Sequence, residues 1–186
     1  MREIEIKARV DDKQALLALL EEKGVTLSAA VTQRDQVFGL PGVNGGDDTN
    51  SAPWLRIRTE TKGAETRQIF TLKKSVTNQM DSIEHETEIH NPAELAAIIG
   101  HLGFTPYSDL TKTRQKAHVG EIEICVDSVD GLGDFIEAEK LTEEDADYDA
   151  IAAELWQLLG GFGVQKMAHV TDGYDVLMRK QQGLKG

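Results

Sequence analysis

The chain has 186 residues, 40% of them hydrophobic, with 32 acidic against 20 basic side chains and a formal net charge of −12. This length suits a single ordinary core, no apolar run approaches the roughly 18 residues that cross a bilayer, and the acidic excess repels nucleic acid and anionic membranes unless the cations gather on one surface. One cysteine, Cys125, excludes an intramolecular disulfide and a cysteine-built zinc site, and the N-terminus alternates in polarity where a signal peptide would be apolar, so a cytoplasmic protein is expected.

In chain order, alternation of period two predicts a first strand over residues 2–10, with Glu3, Glu5 and Lys7 on one face and Ile4 and Ile6 on the other. An amphipathic helix follows over 11–23, carrying Leu16, Leu17, Leu19 and Leu20 and ending at Gly24. A strand over 30–40 leads to a polar, glycine-rich loop over 41–53. Strands over 54–59 and 67–74 place Arg56 with Arg58 opposite Leu55 and Ile57, and Thr71 with Lys73 opposite Leu72. The strand over 82–90 carries an acidic row of Glu84, Glu86 and Glu88, and a helix over 92–102 ends at Gly103. The strand over 110–118 has a basic row, Lys112, Arg114 and Lys116. Strands over 121–127 and 134–141 set Glu121, Glu123 and Asp127, then Glu137 and Glu139, against Ile122, Ile124, Ile136 and Ala138, with Gly131 and Gly133 in the turn between them. A third helix over 147–159 closes at Gly160-Gly161. Eight strands suffice to close a barrel, and the order strand, helix, strands recurs from about Ser82, a loose duplication of plan.

These charged faces are unusual. A solvated strand face carries mixed polar residues, whereas rows of like charge repel unless an opposite row or a counter-ion compensates them. Each strand alone reads as an outer face; together the rows read better as the lining of a barrel. Arginine and lysine suit phosphate oxygens, and clustered carboxylates suit Mg2+ or Mn2+, hard ions that bind phosphate at the same time.

The same residues resemble a known family. Glu3-Ile4-Glu5-Ile6-Lys7 resembles the Glu-x-Glu-x-Lys signature of the CYTH superfamily, the triphosphate tunnel metalloenzymes, which includes class IV adenylate cyclases and thiamine triphosphatases. Leu55-Arg56-Ile57-Arg58 resembles its Arg-x-Arg strand, Thr71-Leu72-Lys73-Lys74 its lysine strand, and Lys112-Thr113-Arg114 its Lys-x-Arg strand. Asp127, then Gly131-Leu132-Gly133-Asp134-Phe135, then Glu137-Ala138-Glu139 resembles its acidic block, and Gly173-Tyr174-Asp175-Val176-Leu177 its tyrosine segment. Relatives often carry an arginine where Ser82 stands, which leaves Glu84, Glu86 and Glu88 without an assigned role.

The resemblance implies an α+β fold: an eight-stranded antiparallel tunnel open to solvent, with flanking helices, in one domain over residues 1–180 with a tail over 181–186. It implies metal coordination by Glu3, Glu5, Asp127, Glu137 and Glu139, and triphosphate binding by Lys7, Arg56, Arg58, Lys73, Lys112 and Arg114. Glu5, Lys7, Lys73 and Glu137 would be catalytic, with Mg2+ or Mn2+ as cofactor. The partner would be a small triphosphate, namely ATP, tripolyphosphate or thiamine triphosphate, with no nucleic acid, no membrane and a homodimer as an option. A class IV adenylate cyclase reaction stands first, a tripolyphosphatase or thiamine triphosphatase reaction second, and a barrel that only binds polyphosphate or nucleotide third. If the basic rows face inward, removal of Arg56, Arg58 or Arg114 is expected to relieve repulsion in the free protein.

Remaining features read as structural. His85 and His90 point to opposite faces and make a poor metal pair, while His101, His118 and His169 read as surface or edge residues. Cys125 reads as a small filler, and Trp54 and Trp156 as core.

Overall fold

A computed structural model describes residues 2–42 and 52–184. Nine strands and four helices follow the chain as β1 (Arg2–Val10), α1 (Lys13–Glu22), β2 (Val31–Gly39), β3 (Trp54–Lys62), β4 (Glu65–Asn78), β5 (Asp81–Glu88), α2 (Pro92–His101), β6 (Thr105–Val119), β7 (Ile122–Val129), β8 (Gly133–Thr142), α3 (Tyr148–Gly161), β9 (His169–Val170) and α4 (Tyr174–Gln181). The first three helices begin where short polar side chains satisfy free amides: Asp12 accepts from Ala15, Asn91 from Glu94, and Asp147 from Asp149 and Ala150.

The strands lie in the order β5-β4-β3-β2-β6-β7-β8-β1, and β1 pairs back onto β5, so eight antiparallel strands close a barrel. The closing seam is short, running from Arg2 opposite Ile83 to Ile4 opposite Asp81, and further along the same edge β9 pairs with Lys7 and Ala8. The repeated order in the sequence has a structural counterpart. The run β1-α1-β2-β3-β4 matches β5-α2-β6-β7-β8, and the two halves meet through β1–β5 and β2–β6, which join equivalent strands, and through β4–β5 and β8–β1.

Cohesion comes mainly from outside the barrel. The outward residues Ile4, Ile6 and Ala8 of β1, Ile124 and Val126 of β7, and Ile136 and Ala138 of β8 form one cluster with Leu16 and Leu20 of α1 and Leu155 and Leu159 of α3. Each fully buried leucine or isoleucine there stabilises by roughly 1.5–3 kcal/mol. Phe38, Leu55 and Ile57 pack beneath Ile99 of α2 in a second cluster. A third cluster uses inward positions at one end: Leu110, Val129 and Phe135 meet Tyr174 of α4, so α4 lies across that mouth.

β1 has its predicted bounds and β2 and β5 are slightly shorter than predicted, while β3, β4, β6, β7 and β8 are longer than their sequence pattern suggested. β6 begins at Thr105, five residues before the predicted start, because Pro106 pairs with Phe38 at a register shift in β2 where its missing N–H is tolerated. β9 and α4, too short or too polar to show a period, were not anticipated. The predicted β7–β8 turn is present, with Gly131 at φ 78° and Gly133 at φ 100°. Of the loop expected over 41–53, residues 43–51 lie outside the described set.

Candidate functional site: a barrel lumen with an acidic and a basic wall

Because alternate side chains share a face, every strand whose apolar row packs outward sends its charged row inward. A cavity of about 450 Å3 results, lined by Glu3, Glu5, Lys7, Arg56, Arg58, Lys73, Lys112, Arg114, Glu137 and Glu139 among others. A further space of about 630 Å3 adjoins it at Gln33, Glu60, Arg67, Arg114 and Lys116. Ten of the eleven residues expected to form the site thus face one lumen.

The two signs are largely segregated. β7, β8, β1 and β5 are consecutive around the barrel and carry Glu123, Glu137, Glu139, Glu3, Glu5, Glu84 and Glu86, with Lys7 set among them; β4, β3, β2 and β6 carry Lys73, Arg56, Arg58, Lys112 and Arg114, with Asp35 and Glu60 set among them. Ion pairs bridge the two boundaries between these walls. At one, Lys73 Nζ lies 2.6 Å from Glu84, 3.4 Å from Glu3 and 3.5 Å from Glu5. At the other, Arg114 donates to Asp127 at 2.6 and 2.7 Å, to Glu139 at 3.4 Å, and to Glu137.

Asp127 stands apart from the other expected metal ligands. It is fully buried, and both its oxygens are engaged by Arg114 and by Lys112, whose Nζ lies 3.0 Å away. Arg58 is likewise held, by a two-pronged pair with Asp35 at 2.7 Å on each arm. Lys7 lies 3.2 Å from Glu5 and 3.4 Å from Glu137, with its ammonium 4.5 Å from the centre of the Tyr174 ring. Arg56 differs: its Nη2 bonds Thr71 at 3.1 Å, but its buried Nε has no partner.

For Arg58 and Arg114 this pairing runs against the expected relief of repulsion on their removal. Removing Arg58 or Arg114 strands Asp35 or Asp127 in the interior, which costs stability instead of releasing it.

The carboxyl groups split by environment. Burial, with Glu84 and Glu5 nearby and against the pull of Lys73, raises Glu3 to about 7. Burial and the charge of Glu3 also push Glu139 well above the usual range. Glu137 is driven the other way: burial opposes its charge, but Arg114, Lys7 and Lys112 outweigh it and hold it well below. Glu84 falls to about 2, the pull of Lys73 and Arg56 overcoming burial. Burial lowers Lys112, with Arg114 adding repulsion, despite Asp127.

Several lumen residues carried weaker signals in the sequence. Glu84 and Glu86 stood in an acidic row without an assigned role; the first joins Lys73, and the second lies 3.7 Å from Arg56. Glu123 lines the cavity beside Glu139, with the buried Cys125 thiol 3.7 Å from each. Asp35 went unnoticed as a lone acid in a mixed strand; the need of an inward Arg58 for a partner was the available signal. Trp54, read as core, instead lines the cavity, its ring seated so closely on Gly39 that a Cβ there would lie 2.4 Å from it. Trp156 does pack with the outer cluster.

The family model for the CYTH domain matches residues 1–174. The chain belongs to the CYTH family. It is 28% identical over 185 residues to a Methanocaldococcus jannaschii protein named "Putative adenylate cyclase", covering 94% of this chain and 97% of that one. A Pyrococcus horikoshii structure superposes with a TM-score of 0.80 at 24% identity, over 96% of this chain and 99% of that one. A Hippeastrum structure does so with a TM-score of 0.61 at 18% identity, over 99% and 97%; it is described as a "Putative adenylyl cyclase" that "reveals a dominant" triphosphatase activity. The closed eight-stranded barrel with flanking helices is thus the CYTH fold.

Among the described residues no helix is long and apolar enough to cross a membrane.

Proposed function

We propose that this CYTH protein is a divalent-metal-dependent enzyme that cleaves a phosphoanhydride bond of a triphosphate held in the lumen. The observation that carries the reading is the division of one cavity into an acidic and a basic wall. Binding an anion alone needs no carboxylates, and binding a cation alone needs no arginines.

The donor set fits a hard cation. Glu3, Glu5, Glu137 and Glu139 offer only oxygen, face one cavity, and include two carboxyls, Glu3 and Glu139, whose charge is suppressed by burial and by neighbouring carboxylates. These four would hold Mg2+ or Mn2+, which when bound supplies Lewis-acid neutralisation of phosphate charge. Asp127 would instead position Lys112 and Arg114. Lys7, Arg56, Arg58, Lys73, Lys112 and Arg114 would grip the phosphate oxygens, and the partnerless Nε of Arg56 is a donor prepared for such an acceptor. Glu5 pairs with both Lys7 and Lys73, and Lys7 also with Glu137, and these four would act on the reacting phosphate.

Of the possible reactions we favour cyclisation of ATP. The ribose 3′-oxygen bonds to the α-phosphorus, the α–β bridge breaks, and pyrophosphate leaves with cyclic AMP as the other product. The name of the Methanocaldococcus relative supports this choice. The second reading is hydrolysis of the terminal phosphoanhydride of tripolyphosphate or thiamine triphosphate, favoured by the activity printed for the Hippeastrum protein. Incubation with ATP, tripolyphosphate and thiamine triphosphate, each with Mg2+ and with Mn2+, followed by chromatography, separates them. Cyclic AMP with pyrophosphate supports the first; orthophosphate without cyclic AMP supports the second.

A further inference from the structure

Lys73 has more contacts with the acidic wall than a residue reserved for phosphate would need. Its Nζ approaches Glu84 at 2.6 Å, Glu3 at 3.4 Å and Glu5 at 3.5 Å, three carboxylates drawn from two strands, β5 and β1. Two of the other lumen cations are arranged differently. Lys112 is held by Asp127, and Arg58 by Asp35, neither of which is among the four carboxylates assigned to the ion. Arg114 also meets two of the four, Glu137 and Glu139, with Asp127 outside them, and Lys7 meets Glu5 and Glu137; Lys73 is the cation that meets both Glu3 and Glu5, with Glu84 as its anchor outside the four.

Resting on the metal-dependent reading above, we propose that Lys73 is a built-in competitor for the divalent ion. It neutralises Glu3 and Glu5 in the free protein and must leave them, staying with Glu84 or moving to a phosphate oxygen, before an ion can coordinate there. The physical basis is exclusion. A divalent ion such as Mg2+, held by carboxylate oxygens at about 2.0–2.1 Å, cannot share those oxygens with an ammonium group at hydrogen-bonding distance without severe like-charge repulsion.

A thermodynamic coupling follows. The ion binds weakly while Lys73 competes, and a triphosphate that accepts Lys73 removes the competition, so ion and triphosphate each strengthen the other's binding by the same factor. The device also has a reason to exist: it keeps an acidic wall from holding an ion permanently in the absence of substrate. Glu84, whose sequence pattern left it without a role, becomes the tether that retains Lys73 at the wall.

The test measures Mn2+ binding by calorimetry to the full chain without any phosphate. Lys73→Met is compared with wild type and with Lys112→Met, which removes a lumen lysine of the opposite wall. Competition predicts that Lys73→Met binds Mn2+ about tenfold or more tightly than wild type, with Lys112→Met changing affinity far less. Equal or weaker binding by Lys73→Met, where wild type binds Mn2+ measurably, overturns the competition and leaves the metal-dependent reading standing. Failure of wild type and both variants to bind Mn2+ at millimolar concentration overturns both. Should Lys73→Met not fold, 15N NMR of the lysine ammonium groups in wild type decides: with the Lys73 signal assigned through Lys73→Arg, titration with Mg2+ must shift it in step with binding. A signal unmoved at saturation overturns the proposal.

Discussion

At the residue scale the site depends on carboxylates whose charge is costly and cations whose charge is already answered. Glu5→Gln keeps the size and removes one negative charge from the proposed ion site; turnover should fall at least about 100-fold while the melting temperature stays near wild type. Unchanged turnover with Mg2+ or Mn2+ would remove Glu5 from the site. Glu3 and Glu84 should respond to pH in opposite senses. Glu3, raised from 4.5 to about 7, keeps its proton in the folded state where the unfolded chain loses it, so its favourable contribution is complete below pH 4.5 and is lost as pH rises through 7. Glu3→Gln should therefore melt several degrees above wild type at pH 8 in chelator, and close to it at pH 4.5. Glu84, lowered from 4.5 to about 2, contributes stability above pH 4.5 that is lost as pH falls toward 2, so Glu84→Gln should melt lower at pH 8. Melting curves of both variants at the two pH values check the pair. The charged rows were legible in the sequence because a row of like charge is improbable on an outer face. Their direction was not, since alternation tells which residues share a face and not which face is inside. The pairing of Arg58 with Asp35 and of Arg114 with Asp127 was also hidden, because it joins strands by register, which the sequence does not display.

At the scale of elements, the barrel is least secured by backbone pairing where β1 meets β5, with only Arg2, Glu3 and Ile4 in register there. A buried side-chain pair reinforces this seam: Arg2 donates to Asp81 at 2.7 and 3.0 Å and to the carbonyls of Glu144 and Ala146, while Thr77 also bonds Asp81. Asp81→Ala leaves the Arg2 guanidinium buried without its counter-charge, a loss of about 3–5 kcal/mol, or on the order of 10 °C in melting temperature for a chain of this size. A change within 2 °C would show the seam to be held by the backbone alone. Long amphipathic elements such as α1, α2 and α3 announced themselves through period and caps. The helix α4 did not, because it is only eight residues long and its half-buried positions include the charged Asp175 and Arg179 beside the buried Tyr174 and Val176. The tyrosine segment was recognised by resemblance, but its service as a stopper against Leu110, Val129 and Phe135 depends on contacts across the whole chain.

At the scale of the molecule, a lumen that encloses a polyanion couples ligand binding to folding. Tripolyphosphate with Mg2+ at about 100 times its dissociation constant should add about 2.7 kcal/mol of stability, a rise of roughly 5–10 °C in melting temperature. A curve that ignores tripolyphosphate would mean that the two walls do not form a phosphate site. The rough duplication noticed in the order of elements became a definite relation between halves once the pairs β1–β5 and β2–β6 were seen. Charge follows that relation only in part: β1 and β5 both carry lumen glutamates, whereas β4 carries Lys73 and its counterpart β8 carries Glu137 and Glu139. The main apolar clusters lie under the helices, on the far side of the strands from the chemistry. Lumen side chains that are not locked in a buried ion pair can therefore drift neutrally, one inheritable change at a time, without eroding the clusters that keep the molecule folded. A lineage built this way can exchange one phosphate reaction for another while its architecture persists, so sequence divergence among relatives should concentrate in what they do sooner than in how they fold.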